Sequence, residues 1–158
     1  MNDLTFDIKT TSEFFKKLTE DYNEFLTNKT SSRIALNCAM TAWHLTEWAY
    51  NEFNNQLSAQ FEKLELYQQD IKNQCPSLQI MHDLSIGTKH YLLTRHRPRV
   101  KKTTLHRGSF NSDFNRDFDI SSLDIAMNDG TKIYFEDEIQ KAVDFWAQYL
   151  KSTFHLTI

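Results

Sequence analysis

Hydrophobic positions recur along most of this chain at helical spacing. Phe14, Leu18, Tyr22 and Phe25 follow one another at steps of four, four and three, the stripe of one apolar helix face. Thr10 and Glu13 stand before it with capping-box spacing, so a first helix is predicted to run to about Thr27. Asn28 to Ser32 is polar and offers Ser31 or Ser32 as the next N-cap. From Ile34 to Phe53 the pattern changes. Ile34, Ala35, Cys38, Ala39, Ala42, Trp43, Leu45, Trp48 and Ala49 cover more than one face, and no Gly or Pro interrupts them. That predicts a central helix packed by several neighbours. Leu57, Phe61, Leu64, Tyr67 and Ile71 then predict a third helix, polar on its other faces.

Cys75-Pro76-Ser77 breaks the chain, and a fourth helix is predicted over roughly Leu78 to Leu92, with Leu78, Met81, Leu84 and Tyr91 inward. Gly87 weakens it by about 1 kcal/mol relative to Ala. The same Gly would permit close packing against the central helix, opposite Ala35, Ala39 and Ala42. Pro98 ends the helical part. Val100 to Leu105 is β-branched and polar, which suits a strand, and Gly108 to Asp119 reads as a loop with interspersed Phe. Leu123, Ile125 and Met127 alternate with polar residues, Asn128-Asp129-Gly130 is a turn signal, and Thr131 to Phe135 resumes a strand. Ile139, Val143, Trp146 and Leu150 mark a last amphipathic helix. The fold expected is mainly α: a four-to-five-helix bundle, one domain over residues 1–158, with a small antiparallel β-hairpin or sheet inserted at about 99–135, before the last helix.

Composition agrees with that outline. Three Gly and two Pro in 158 residues favour long uninterrupted helices, and 40% apolar residues argue against disorder. Two cysteines, Cys38 and Cys75, make neither a disulfide framework nor a zinc knuckle. No N-terminal run has the form of a signal peptide, and no stretch approaches the roughly 20 apolar residues of a membrane span. A cytoplasmic protein with no membrane partner is expected.

Three clusters are candidates for chemistry. In Trp43-His44-Leu45-Thr46-Glu47-Trp48, His44, Glu47 and Trp48 share one helix face; a His and a carboxylate at that spacing can share a proton or a metal ion. The alternative is a buried, hydrogen-bonded His44 in a dry aromatic cluster, with Glu47, Trp43 and Trp48 forming a structural polar core. In the second cluster, Asp83 and His90 fall two turns apart on one face, and His82 and Lys89 form a parallel pair. The alternative there is a solvated stripe. The third is basic. Lys89, Arg95, Arg97, Arg99, Lys101, Lys102 and Arg107 are 7 of the chain's 18 strong bases, with His90, His96 and His106 among them and no acid between Asp83 and Asp113. In a chain of formal charge −3 this points to contact with a polyanion, RNA or DNA backbone first in line. The alternative is internal pairing with Asp113, Asp117, Asp119, Glu136, Asp137 and Glu138. No phosphate-binding Gly-rich loop, paired CxxC or HExxH is present.

The string Trp43-His44 with Glu47-Trp48, Cys75-Pro76, Asp83 through Lys89-His90, the hairpin and the Ile139-to-Trp146 helix resembles a group of small bacterial proteins. These carry a WHL-x-[DE]-W helix followed by a D-x-x-N-x-x-K-H helix, and are similar to the HEPN superfamily of helical bundles. Many HEPN proteins are RNases of toxin–antitoxin and antiphage systems. The resemblance implies a metal-independent endoribonuclease or an RNA-binding component, catalytic residues His90, Lys89, Asp83 and His44, phosphate contacts from Arg95, Arg97, Arg99, Lys101, Lys102 and Arg107, a homodimer, and a partner protein such as an antitoxin. No cofactor and no metal ligand are implied. The chain departs from the family pattern in two places: Ile86 stands where the Asn is usual, and no Arg precedes His90 at the family's distance. Arg99 and His106 have that spacing but follow Pro98 in a predicted strand. A non-catalytic interaction module on a degenerate bundle is therefore the second reading. A bundle metal site from His44, Glu47 and His90 is the third.

Overall fold

A computed structural model describes residues 4–93 and 96–158. Its elements are helices α1 (Thr11–Thr27), α2 (Ser32–Glu52), α3 (Asn54–Leu57), α4 (Leu64–Gln74) and α5 (Ser77–Lys89), strands β1 (Val100–His106), β2 (Ser122–Met127) and β3 (Lys132–Tyr134), and helix α6 (Phe135–Phe154). The mainly helical fold with a small antiparallel sheet before the last helix is as the sequence pattern predicts.

Local chemistry starts the helices where expected. Thr10 accepts from the Glu13 amide, and Glu13 reaches back to the Thr10 amide, which closes the capping box of α1. Ser31 caps α2. Three acids, Glu136, Asp137 and Glu138, sit in the first turn of α6 and complement its dipole. Helix α2 is the axis of the molecule. Ala39, Ala42 and Leu45 are fully buried, as are Cys38 and Ala49, and α1, α4, α5 and α6 all pack on it. Its small residues let those neighbours come close: Trp146 of α6, fully buried, donates its indole N–H to the Ala42 carbonyl at 2.9 Å.

Two predicted helices change length. The third is two pieces, α3 and α4, and between them the Phe61 carbonyl accepts from the Tyr50 hydroxyl at 3.1 Å. The fourth stops at Lys89, capped by an extended His90, rather than reaching Leu92; Tyr91, expected inward, is 100% exposed. The chain leaves the helix early because residues 96–100 return alongside α5 and hydrogen-bond to Asp83. Gly87 is exposed, with nothing within 4 Å of the position its Cβ would take, so it mediates no close helix packing.

The sheet has strand order β1-β2-β3, antiparallel throughout. Ile125 of β2 pairs with Thr103 and Ile133 and is buried against the helices. The Asn128-Asp129-Gly130 turn forms as predicted. Gly130 has φ of 90°, and Asp129 accepts from both the amide and the hydroxyl of Thr131. Gly108 answers a different need: a Cβ there would lie 2.2 Å from the Asp119 carbonyl oxygen, so the loop closes only over a glycine. No helix among the described residues is long and apolar enough to cross a membrane.

Gly130→Ala forces a side chain into the left-handed region and is expected to destabilise the protein by about 1 kcal/mol. A urea melt checks this; Gly87→Ala in the exposed last turns of α5 should move stability the other way.

Candidate functional site

Asp83 is buried and accepts four hydrogen bonds. It projects from α5, is 4% exposed, and accepts from the Gln79 amide at 2.8 Å and His96 Nε2 at 2.7 Å on one oxygen. The other oxygen accepts from the backbone amides of Arg99 at 2.7 Å and Val100 at 3.1 Å. A carboxylate taken from water must recover its lost hydration in this way. The consequence is local structure: the start of β1 is tied to the middle of α5. A bulge between Val100 and Lys102 bends the strand as it leaves this anchor.

Around Asp83 is a cationic and aromatic shell. His82 stacks on Trp43, ring centroids 4.1 Å apart, and meets the His96 ring edge-on at 4.9 Å. Lys72 of α4 places its ammonium 2.9 Å from His82 Nδ1 and 4.7 Å from the Trp43 ring centroid. Burial, then Lys72 and His96, push the His82 pKa down to about 4, so its ring is neutral at pH 7 and its Nδ1 accepts from Lys72. Burial and Arg99 in turn lower the pKa of Lys72, against the raising effect of Asp83. Side-chain atoms of His82, Asp83 and His96 able to bind a metal lie within 4.8 Å of one another. The Lys72 ammonium at His82 Nδ1 and the four donors on Asp83 make the group a hydrogen-bonded cluster rather than a set of free ligands.

Of the residues expected to carry chemistry, Asp83 is buried and fully partnered, while His90 and Lys89 are exposed at the end of α5. Neither His90 nor Lys89 has a side-chain hydrogen bond or ion pair among the described residues. His44 corrects the expectation of a buried ring: it is exposed, and its hydrogen bond among the described residues is a long one, 3.5 Å to the Ser85 hydroxyl. The reason is its position on the outer face of α2, opposite the small residues that α6 covers. Glu47 is likewise exposed and outside any polar core, whereas Trp43 is buried and Trp48 stacks on Phe14 at 4.5 Å. His44, Glu47 and His90 do not gather, nor do His44, Asp83 and His90; among the described residues the gathered set is His82, Asp83 and His96. Lys72, Gln79 and the pairing of His96 with Asp83 were missed. Helical spacing relates residues on one helix and is silent about a partner 13 positions on, across a chain reversal.

Arg95 lies outside the described residues. Arg97, Arg99, Lys101, Lys102 and Arg107 are all exposed, and none has an ion pair or side-chain hydrogen bond among those residues. Among the described residues, internal pairing with the acidic C-terminal region is confined to His106, which binds Asp119 at 2.6 Å and lowers that carboxyl's pKa. Arg116 makes a bidentate pair with Asp137, both bonds 2.6 Å, while Lys29 holds Glu136 and Lys141 holds Glu138. Strand β1, carrying Lys101 and Lys102, is an edge of the sheet. Comparison of the chain with protein-family models, curated proteins and solved structures finds no match.

Removing the carboxylate of Asp83 orphans the amides of Arg99 and Val100. Asp83→Ala is expected to cost about 3 kcal/mol or more in a denaturant titration, and to expose the segment before β1 to protease. His82 supplies a pH test. Between its ordinary value of 6.5 and about 4, the unfolded chain binds a proton there that the folded chain does not. Stability from this group is therefore intact above pH 6.5 and lost as the pH falls toward 4. His82→Asn should lose less stability than wild type between pH 7 and pH 5.

Proposed function

We propose that this chain binds nucleic acid, RNA in the first instance, along edge strand β1 and the segment leading into it. The observation that carries the reading is the run of cations Arg97, Arg99, Lys101, Lys102 and Arg107, exposed and without an ion pair among the described residues, while Glu136, Asp137 and Glu138 are held by other bases. Five exposed charges without counter-charges, in a chain of net charge −3, repel one another unless an external polyanion approaches. The HEPN-like motifs favour RNA as that polyanion, a component of a toxin–antitoxin or antiphage system as its setting, and a homodimer as its form. Binding is the core of the proposal. His44, Asp83 and His90 lend no support to a shared cleavage centre, since Asp83 is consumed by structural hydrogen bonds and the two histidines stand exposed, apart from each other and from Asp83.

A second reading is a docking module for an acidic protein segment. It is favoured by the open edge of β1, which offers backbone hydrogen bonds beside the same cations.

Arg97, Lys101, Lys102 and Arg107 test both. Four phosphate contacts on a single strand give a log affinity against log salt slope of about −2.8. Changing all four to Ala should abolish RNA binding in a fluorescence-anisotropy titration and leave the melting temperature unchanged, because none of them has an internal partner. Absence of RNA or DNA affinity in wild type at low salt would remove the nucleic-acid reading in favour of the protein one.

A further inference from the structure

Behind Asp83, on the side facing α4, lies a polar cavity of about 220 Å³ lined by Gln69, Lys72, Asn73, Pro76, Gln79 and Arg99. Its lining is unusual in charge. Two cations and three amides meet there without a carboxylate. Asp83, close enough to hold Gln79, is buried and already accepts four hydrogen bonds. Lys72 is the informative residue. A half-buried ammonium ordinarily takes a carboxylate partner, but this one has a neutral imidazole at 2.9 Å and an indole face at 4.7 Å. Arg99 is fixed at its backbone by Asp83, so the base of its side chain is placed while its guanidinium is left without a partner. Gln69 is braced by donating to Asn73 at 3.1 Å, and the Asn73 amide nitrogen is left with no acceptor among the described residues.

We infer that this cavity is a seat for one phosphate group, held between the Lys72 ammonium and the Arg99 guanidinium with the Asn73 and Gln69 amides beside it. Two cations match the charge of a phosphate dianion. Arg supplies a planar fork and Lys a point charge, the two complementary ways in which side chains meet phosphate. His82 and Trp43 keep Lys72 from straying, so the ammonium is positioned before the anion arrives. The source of the phosphate rests on the nucleic-acid reading above, because Arg99 belongs both to this cavity and to the basic run that leads into β1. A strand lying along β1 would bring either a backbone phosphodiester or a terminal phosphate to this end of its track.

The experiment uses the intact chain and two probes. Inorganic phosphate is titrated against chloride at equal ionic strength, read by calorimetry and by amide shifts of residues 69–79 and 99. Saturable binding is expected in wild type and in the Lys101→Ala/Lys102→Ala double variant. It should weaken at least about tenfold, the worth of one charge-assisted hydrogen bond, in Lys72→Met and in Arg99→Met. Arg99→Met leaves the fold intact, since that guanidinium has no hydrogen bond or ion pair among the described residues, so the proposal stays testable if Lys72→Met is unstable. No saturable phosphate binding in wild type, or binding indifferent to Arg99→Met, overturns the seat. The second probe is one oligonucleotide with and without a 5′-phosphate. Tighter binding of the phosphorylated form, lost in Arg99→Met, assigns a terminal phosphate; equal binding of both, weakened alike by Arg99→Met, assigns the backbone. Oligonucleotide binding untouched by Arg99→Met, without phosphate binding, sinks the seat and leaves the β1 reading standing. A working phosphate seat in a chain without oligonucleotide affinity does the reverse.

Discussion

A single buried carboxylate organises the part of this protein that carries its unpartnered charge. A carboxylate buried as Asp83 is needs hydrogen-bond donors, and its own helix supplies only Gln79. The remaining donors come from residues 96–100, beyond a chain reversal, and include two backbone amides. Much follows from that requirement. Helix α5 ends at Lys89, and the chain runs back alongside it. Strand β1 begins at a fixed point, and Arg99 is held at the rim of a polar cavity. The hydrogen bonds that stabilise the anion are the same ones that set where the cations go.

The charge distribution is then settled by which partners lie within reach. Acids near the end of β2 and the start of α6 meet Lys132, Arg116, Lys29 and Lys141, each at ion-pair distance. These contacts are local to that end of the molecule. The basic run from Arg97 to Arg107 lies on an edge strand and its approach and pairs with none of them among the described residues; its one ion pair there is His106 with Asp119. Ion pairs at a surface contribute little to stability, so their absence here costs the fold little. What it leaves is a local positive potential on a mildly acidic protein, which attracts anions over roughly a Debye length.

The scaffold beneath is conventional in its physics. Helix α2 uses Ala and Cys where neighbours must approach and Leu45 where they leave room, and a single buried Trp of α6 spans to its backbone. Each fully buried large side chain contributes on the order of 1.5–3 kcal/mol by leaving water. That sum is what offsets the cost of seating Asp83, a half-buried Lys72 and a neutral His82 in one place. Local strain and charge of this kind are tolerated where a large apolar core over-determines the fold.

The sequence by itself determined the elements. The capping box at Thr10 and Glu13, the all-round apolar pattern of α2, the turn at Asn128-Asp129-Gly130 and the amphipathic α6 are local properties, written in residues three or four apart or in a single tripeptide. Backbone geometry reads these directly. The tertiary structure alone decided the rest. It separated α3 from α4, and it shortened α5 so that Tyr91 is in water. It turned His44 outward and gave Asp83 the partner His96 in addition to Gln79 on its own helix. It also brought Lys72 and Arg99, 27 positions apart, to one cavity. None of these was legible, because helical periodicity says which residues share a face but not what that face meets. The demand of the buried Asp83 carboxylate for donors was met mostly from beyond its own helix, by residues 96–100.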